Sequence, residues 1–271
     1  MNQTPAPPVY ELYALRYATH AERMASENFL FFEGEDERMP LDFYFWVLRG
    51  TDGRIVVVDT GFAPEVAVSR GRTLLQTPTQ ALGRLGIDPG GVGDVIVTHL
   101  HYDHAGNLNS FPRARFHLQD AEIAYCTGRA MGHAAARRPF ELDAVVETVR
   151  HVHAGRMRFH AGPAEIVPGV SVHPVGGHTP GMQVVRVPTA RGWVVLASDA
   201  AHYWRNIRER SPFPIVVDVP RMLEAYGTIE ALADGPDHII PGHDPDVVRR
   251  FPALAQHHDI VSLHQAPLDS G

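Results

Sequence analysis

The chain has 271 residues, and its 24 glycines and 22 prolines are typical of a globular protein rich in turns. It has no lysine and a formal net charge of −7, which excludes Schiff-base, pyridoxal-phosphate-lysine and P-loop chemistry and argues against a nucleic-acid partner. The single cysteine, Cys126, cannot form an intrachain disulfide, and we expect it to be buried and unreactive. The sequence shows neither a secretory signal nor the run of about 20 apolar residues that a membrane helix needs, so we expect a cytoplasmic protein with no membrane partner.

Short runs rich in β-branched residues, each bounded by turn residues, predict strands. They lie at residues 43–48, 55–58, 95–97, 170–175, 184–187, 194–196 and 239–240. Apolar residues spaced about 3.6 apart predict helices at residues 73–85, 119–127, 140–149 and 220–233. Strands that alternate with helices indicate an α/β protein. We expect one domain, residues 1–271, with a helical insertion at residues 113–169.

Four of these strands run directly into an acidic residue or a histidine. The sequences are IVVVDTG at 55–61, VIVTHLH at 95–101, WVVLASDA at 193–200 and HIIPGHD at 238–244. A fifth segment, VHPVGGHTPG at 172–181, brings a histidine through a glycine-rich turn. Because α/β folds usually assemble active sites beyond the carboxyl ends of buried strands, we expect these polar residues to meet.

The densest group of candidate metal ligands lies in THLHYDHAGN, at residues 98–107. Zinc binds histidine nitrogens and carboxylate oxygens, and four such side chains fall within this segment. A loop that leaves a strand can direct His99 and His101 at one ion while Asp103 and His104 face a second ion, about 3.5–4 Å away. The segment therefore predicts a dinuclear metal site.

The remaining candidate ligands come later in the chain, where they follow a turn or a strand. They are His178, Asp199 and His243. We expect the first to complete a set of three histidines on one ion and the last to join Asp103 and His104 on the other. Asp199 is suited to bridge both ions, because a carboxylate has two oxygens and a charge that offsets two adjacent dications.

These motifs, in this order, resemble the metallo-β-lactamase superfamily, whose hallmark is HxHxDH followed by a distant His, Asp and His. The resemblance covers about residues 10–252 and includes the early segment Asp59-Thr60-Gly61. It implies an αββα sandwich with two divalent metal ions, zinc by ligand type, at one edge of the two sheets. It also implies that Asp59 fixes the ligand loop and is not itself a ligand.

Within the superfamily the chain most resembles the quorum-quenching N-acyl homoserine lactonases. The similarity lies in HLHYDHAGN, GGHTPGMQ, SDA and PGHDP. It implies a hydrolase that opens N-acyl homoserine lactones through a metal-bridging hydroxide. In such an enzyme Asp103 would pass a proton to the departing alkoxide.

The residue that assists the substrate carbonyl differs from the family pattern. Those lactonases commonly carry a tyrosine three residues after the bridging aspartate, whereas this chain has His202 there and Tyr203 one residue later. We expect His202 to hydrogen-bond the carbonyl or oxyanion, with Tyr203 as the alternative. Phe62 and Phe213 are candidates for an acyl-chain groove, and core packing explains them equally well.

Other functions share the metal motif. A thioesterase of the hydroxyacylglutathione type carries a further C-terminal helical domain, and only residues 244–271 follow His243 here. A phosphotriesterase-like hydrolase stays open as an alternative, because a hydroxide can attack phosphorus as well as carbon. A binding protein that retains metal without turnover is the non-enzyme alternative. The expected partner is a small-molecule lactone or ester, and the aromatic residues 43–46 make a homodimer an additional hypothesis.

Overall fold

A computed structural model describes residues 8–268 of the chain. Its strands are β1 (Tyr10–His20), β2 (Leu41–Gly50), β3 (Ile55–Val58), β4 (Thr73–Leu74), β5 (Asp94–Ile96), β6 (Arg115–Gln119), β7 (Met157–His160), β8 (Ala164–Val167), β9 (Val170–Pro174), β10 (Gln183–Thr189), β11 (Gly192–Ser198), β12 (Ile239–Pro241), β13 (Ala253–Leu254) and β14 (His257–Ser262). Its α-helices are α1 (Pro64–Ser69), α2 (Pro78–Arg84), α3 (Asp120–Cys126), α4 (Ala134–Arg137), α5 (Leu142–His153), α6 (Trp204–Arg208), α7 (Val219–Leu232) and α8 (Asp246–Arg250). Short 3-10 helices lie at Ala25–Glu27, Pro89–Gly91, Leu108–Ser110, Arg129–Gly132 and Pro236–His238.

The strands form two mixed sheets. The larger sheet has the order β13-β14-β1-β2-β3-β5-β6-β7, with β4 paired to β1, and the smaller has the order β12-β11-β10-β9-β8. Strands β3, β5, β6 and β7 run parallel to one another, and β11 runs parallel to β12. Because parallel neighbours end at the same edge of a sheet, the segments after β3 and β5 start side by side, as do those after β11 and β12.

Alternation along β2 explains how the layers are built. Tyr44, Trp46 and Leu48 pack against β10 and β11 in the core between the two sheets. Their neighbours, Phe43 and Phe45, point to the opposite face and pack under α1, α2 and α3. Helix α7 covers the outer face of the smaller sheet. The layers follow the order α, β, β, α, and burying each large apolar side chain contributes about 1.5–3 kcal/mol.

Every predicted strand is present, but the prediction missed the long strand β1 and six others, β4, β6, β7, β8, β13 and β14. Strand β1 reads YELYALRYATH, so its apolar run is interrupted by Glu11 and Arg16. Arg16 is held by ion pairs with Asp42 at 2.9 Å and Asp259 at 2.6 Å, which let a charged residue sit within the sheet. Pairing with distant segments, and not local pattern, therefore specifies this strand.

The helices predicted at 119–127, 140–149 and 220–233 are confirmed as α3, α5 and α7. The helix predicted at 73–85 begins only at Pro78, because the Thr77 hydroxyl caps α2 by accepting the Gln80 N–H. Residues 73–74 form β4 instead. No helix in residues 8–268 is long and apolar enough to cross a membrane.

Two expectations need correction. Residues 113–169 hold α3, α4 and α5, but they also hold β6, β7 and β8, which extend both sheets, so this segment is not simply a helical insertion. The strands were missed because β6 (RFHLQ) and β7 (MRFH) mix arginine and histidine with few β-branched residues. Residues 43–46, offered as part of a dimer surface, are all buried inside the chain, so they do not contribute to such a surface.

Candidate metal centre

Three histidines converge beyond the ends of the sheets. His99 and His101 follow β5, and His178 lies in the turn before β10. One ring nitrogen from each lies within 4.8 Å of the others, and all three side chains are buried. Burial and the neighbouring imidazoles hold the pKa of His99 well below its ordinary value, so its ring is neutral and offers a lone pair. His178 Nδ1 donates to the Ile215 carbonyl oxygen at 2.6 Å, which leaves its Nε2 facing the other histidines.

A second group lies against the first. It consists of Asp103, His104, Asp199 and His243, whose ligand atoms also fall within 4.8 Å of one another. Asp199 Oδ1 is 3.2 Å from His104 Nε2 and 2.9 Å from His243 Nε2. Its other oxygen, Oδ2, is 3.4 Å from His178 Nε2 in the first group. Asp199 therefore stands between the two groups.

The polarity of these contacts fits metal ions. His104 Nδ1 donates to Asp59 Oδ2, and His243 Nδ1 donates to the Asp42 carbonyl oxygen, each at 2.7 Å. Because both Nδ1 atoms are engaged in this way, the Nε2 atoms of both rings face Asp199 Oδ1. Among residues 8–268, His104 Nε2 and Asp199 Oδ1 are buried without a hydrogen-bond partner. Buried orphan atoms of this kind call for an explanation, and histidine and carboxylate ligands around a divalent cation supply one.

Asp59 fixes the loop that carries the first ligands, as the sequence predicts. Its Oδ1 accepts the Thr98 N–H at 2.7 Å, and its Oδ2 accepts the Thr98 hydroxyl at 2.8 Å. The same Oδ2 accepts the His104 Nδ1–H, so one carboxylate positions both the loop and the ring of a candidate ligand. Asp59 and Ser198 have φ values of 64° and 45° at the points where β3 and β11 end. Left-handed conformations in such residues are costly and cluster at functional sites.

Glu122 joins the two loops that carry the histidine group, and sequence reasoning missed it. The side chain is fully buried on α3, and its carboxylate accepts the Leu100 N–H at 2.9 Å, the Thr179 hydroxyl at 2.6 Å and the Gly181 N–H at 3.2 Å. A Cβ at Gly181 would overlap the backbone of Glu122, so only glycine permits this approach. An acid in the first turn of a helix is otherwise typical of a solvent-exposed position, which is why no signal pointed to it.

His202 and Tyr203 point in different directions. His202 Nε2 donates to Asp199 Oδ2 at 3.1 Å, and Phe213 stacks on its ring with 3.4 Å between the centroids. The Tyr203 hydroxyl donates to the Pro40 carbonyl oxygen at 2.8 Å. The structure thus brings His202 to the metal-ligand groups and turns Tyr203 towards the segment that precedes β2.

The structure does not support Phe62 and Phe213 as groove residues. Both are fully buried, and neither lines the cleft at the metal-ligand groups. Phe62 stacks on Tyr102 and packs edge-on against Tyr17, so it belongs to the core beneath β2. Phe213 stacks on the His202 ring. Both phenylalanines lie in loops, and their positions in the sequence do not reveal that these loops turn inward.

A cleft of about 1200 Å³ opens over the two groups. Six of its lining residues belong to the centre just described: His101, Asp103, His178, Asp199, His202 and His243. Apolar side chains line part of the remaining wall, among them Leu41, Phe43, Tyr102, Ile215 and Val216. The wall also holds His20, Arg23, Arg70, Arg72 and Arg138. A small molecule can therefore reach the metal-ligand groups.

Comparison with protein families shows which family the chain belongs to. The model of the metallo-beta-lactamase superfamily matches residues 44–250. The chain belongs to this superfamily. It is a hydrolase of the metallo-beta-lactamase superfamily with histidine and aspartate groups able to hold metal ions, which confirms the family predicted from HxHxDH.

Curated relatives of this superfamily member are similar along most of their length. A probable metallo-hydrolase of Mycobacterium tuberculosis is 26% identical over 235 residues, which cover 74% of this chain and 71% of the relative. An N-acyl homoserine lactonase of Bacillus cereus is 28% identical over 189 residues, which cover 64% of this chain and 69% of the relative.

Solved structures share the fold. A quorum-quenching N-acyl homoserine lactone lactonase superposes with a TM-score of 0.72 at 21% identity, over 90% of this chain and 95% of that one. A dizinc quorum-quenching lactonase in complex with a product superposes with a TM-score of 0.65 at 16% identity, over 90% of each chain. These likenesses confirm the αββα sandwich predicted from the sequence.

Proposed function

We propose that this chain is a dinuclear metal-dependent lactonase that opens N-acyl homoserine lactones, with zinc as the metal. The observation that carries the proposal is the pair of adjacent ligand groups with Asp199 between them, at the floor of an open cleft. Curated relatives that are N-acyl homoserine lactonases support the substrate class. A dizinc structural neighbour and the histidine-rich ligand set support the metal.

The ligand sets follow from the two groups. His99, His101 and His178 would hold one ion, and Asp103, His104 and His243 would hold the other. Asp199 would be shared, because its two oxygens face different groups. When bound, such ions would lower the pKa of a coordinated water, so that a hydroxide would be available near neutral pH.

Two side chains of the cleft would supply proton transfer and hydrogen bonding to the substrate. Asp103 lines the cleft, and its carboxylate is the candidate to accept the proton of the attacking hydroxide and to pass it to the leaving alkoxide oxygen when the ring opens. His202 also lines the cleft, and its Nε2–H, which lies 3.1 Å from Asp199 Oδ2, is the candidate donor that the carbonyl oxygen would share as negative charge develops there. Phe213 restricts the orientation of the His202 ring by stacking on it.

A substrate screen tests the proposal. Homoserine lactones of different acyl length are compared with glutathione thioesters and phosphotriesters by kcat/KM, with one proton released per lactone opened. We expect every efficient substrate to be a lactone. Higher kcat/KM for thioesters or for phosphotriesters would move the chain to the corresponding hydrolase class. Bound metal without hydrolysis of any of the three would indicate a metal-retaining binding protein.

A further inference from the structure

Two guanidinium groups that are at least partly buried in the cleft lack a carboxylate partner among the described residues. Arg23 is only 8% exposed, and Arg72 is half-buried; both line the cleft. In the part of the chain that the structure describes, neither has a carboxylate oxygen within 4.0 Å. Arg70 differs, because its Nη2 lies 2.6 Å from Glu141 Oε1. Since a buried charge is normally paired, these two guanidinium groups are available to pair with an anionic ligand.

Arg23 is held in place by neutral groups. Its Nη2 donates to the Glu27 carbonyl oxygen at 2.7 Å, and its Nε donates to Asn28 Oδ1. Asn28 is fixed in turn by a bond from its amide to the Met39 carbonyl oxygen at 3.0 Å. These contacts orient the guanidinium without neutralising it. Burial lowers the pKa of Arg23, which reflects the cost of keeping this charge away from water.

Arg72 stands beside the ligand loop. Its Nε donates to the Tyr102 hydroxyl at 3.2 Å, and Tyr102 lies in sequence between the candidate ligands His101 and Asp103. The guanidinium carbon is also 5.9 Å from the ring centre of Phe43. A ligand held by Arg72 would therefore lie close to the reacting centre.

His20 completes this group, which we call the basic corner: His20, Arg23 and Arg72. All three side chains line the same cleft. Burial lowers the pKa of His20, and the charges of Arg72 and Arg23 lower it further. His20 Nδ1 is buried and has no hydrogen-bond partner among the described residues. The basic corner therefore combines two unpaired cations with an orphan polar atom.

We infer that the substrate carries a carboxylate on the part that is not hydrolysed, and that Arg23 and Arg72 bind it. An anion offsets the cost of the desolvated guanidinium groups through charge-assisted hydrogen bonds, whereas a plain alkyl chain does not. The cleft also contains Glu27 and Glu141, so its field favours a single negative charge over a phosphate dianion. The inference rests on the proposed lactonase function and narrows its substrate class.

The test uses a matched pair of lactones. N-succinyl-homoserine lactone carries a terminal carboxylate, and its primary amide has nearly the same shape without the charge. We expect kcat/KM to be about 10- to 100-fold higher for the acid, a preference that weakens as the ionic strength rises. Arg72→Met should remove the preference by lowering kcat/KM for the acid much more than kcat/KM for the amide. Arg23→Gln should act in the same direction.

The matched control is Arg113→Met, which removes one charge from an exposed position outside the cleft and should keep the preference. Equal kcat/KM for acid and amide in the wild type, or a preference that survives Arg72→Met, would overturn the inference. The γ-lactam analogues of both probes separate this outcome from failure of the lactonase proposal, because their binding needs no turnover. The remaining outcome is that neither lactone is opened, while the acid lactam binds about tenfold tighter than the amide lactam and Arg72→Met removes the difference. That result would support the anion site and contradict the lactonase function.

Discussion

Glu122→Gln is the substitution that best tests how the histidine group is positioned. The change keeps the size of the side chain but replaces one carboxylate oxygen with an NH2 group, which donates and does not accept. Glu122 accepts from Leu100 in the loop of His99 and His101, and from Thr179 and Gly181 in the loop of His178. Whichever way the amide turns, at least one backbone N–H loses its acceptor and meets another donor.

The size of the effect follows from burial. Glu122 is 0% exposed, so water cannot replace a lost hydrogen bond. Leaving one buried donor unsatisfied costs about 1–3 kcal/mol of the free energy of unfolding. Loss of a group that orients metal ligands typically weakens metal affinity by about 10- to 100-fold. We therefore expect Glu122→Gln to lower both quantities.

The assay combines urea unfolding with zinc titration against a competing chelator, on wild type and variant. Glu224→Gln is the matched control, because Glu224 is exposed on α7 and outside the cleft; it should leave both quantities unchanged. A Glu122→Gln protein with wild-type zinc affinity would refute the reasoning that this carboxylate positions the histidine group. Weaker zinc binding by a variant that is still fully folded in the absence of urea would support it.

Three further predictions address single residues. Asp199→Asn should lower the number of zinc ions bound per chain, measured by elemental analysis, because it keeps the side chain's size but removes the charge between the two groups; two ions retained at wild-type affinity would contradict the shared role. His202→Ala should lower kcat by about ten- to a thousand-fold with metal content unchanged, whereas Tyr203→Phe should have little effect on kcat. The reverse pattern would move the role to Tyr203, and metal loss in His202→Ala would show that His202 acts by positioning Asp199. Burial raises the pKa of Cys126 to about 12, so only about one thiol in ten thousand is ionised at pH 8, and it should react with a thiol reagent only after unfolding; fast reaction of the folded protein would show that the site opens.

The ligand groups could be predicted because the relevant signals are local. Four candidate ligands fall within residues 98–107, and β-branched runs mark the strands whose ends carry Asp59, Asp199 and His243. Parallel pairing of β3 with β5 and of β11 with β12 then brings the polar residues together. The predicted αββα layers followed from the resemblance to the metallo-β-lactamase superfamily.

The residues that surround the ligands could not be predicted, because their roles depend on contacts between distant segments. Glu122 looks like an ordinary acid in the first turn of a helix until α3 packs on the loop at 179–181. Arg23 looks like a surface charge until the segment before β2 buries it. Phe62 and Phe213 lie in loops that turn into the core, so sequence position alone did not decide between a groove and core packing.

The central claim is that two metal ions held by these ligands support lactone opening. The most direct measurement is a zinc titration of metal-free protein in which proton release from N-acyl homoserine lactone is followed against metal bound per chain. We predict that the rate rises to a plateau at two equivalents of zinc. A plateau at one equivalent would contradict the dinuclear site, and no lactone opening with two ions bound would contradict the function.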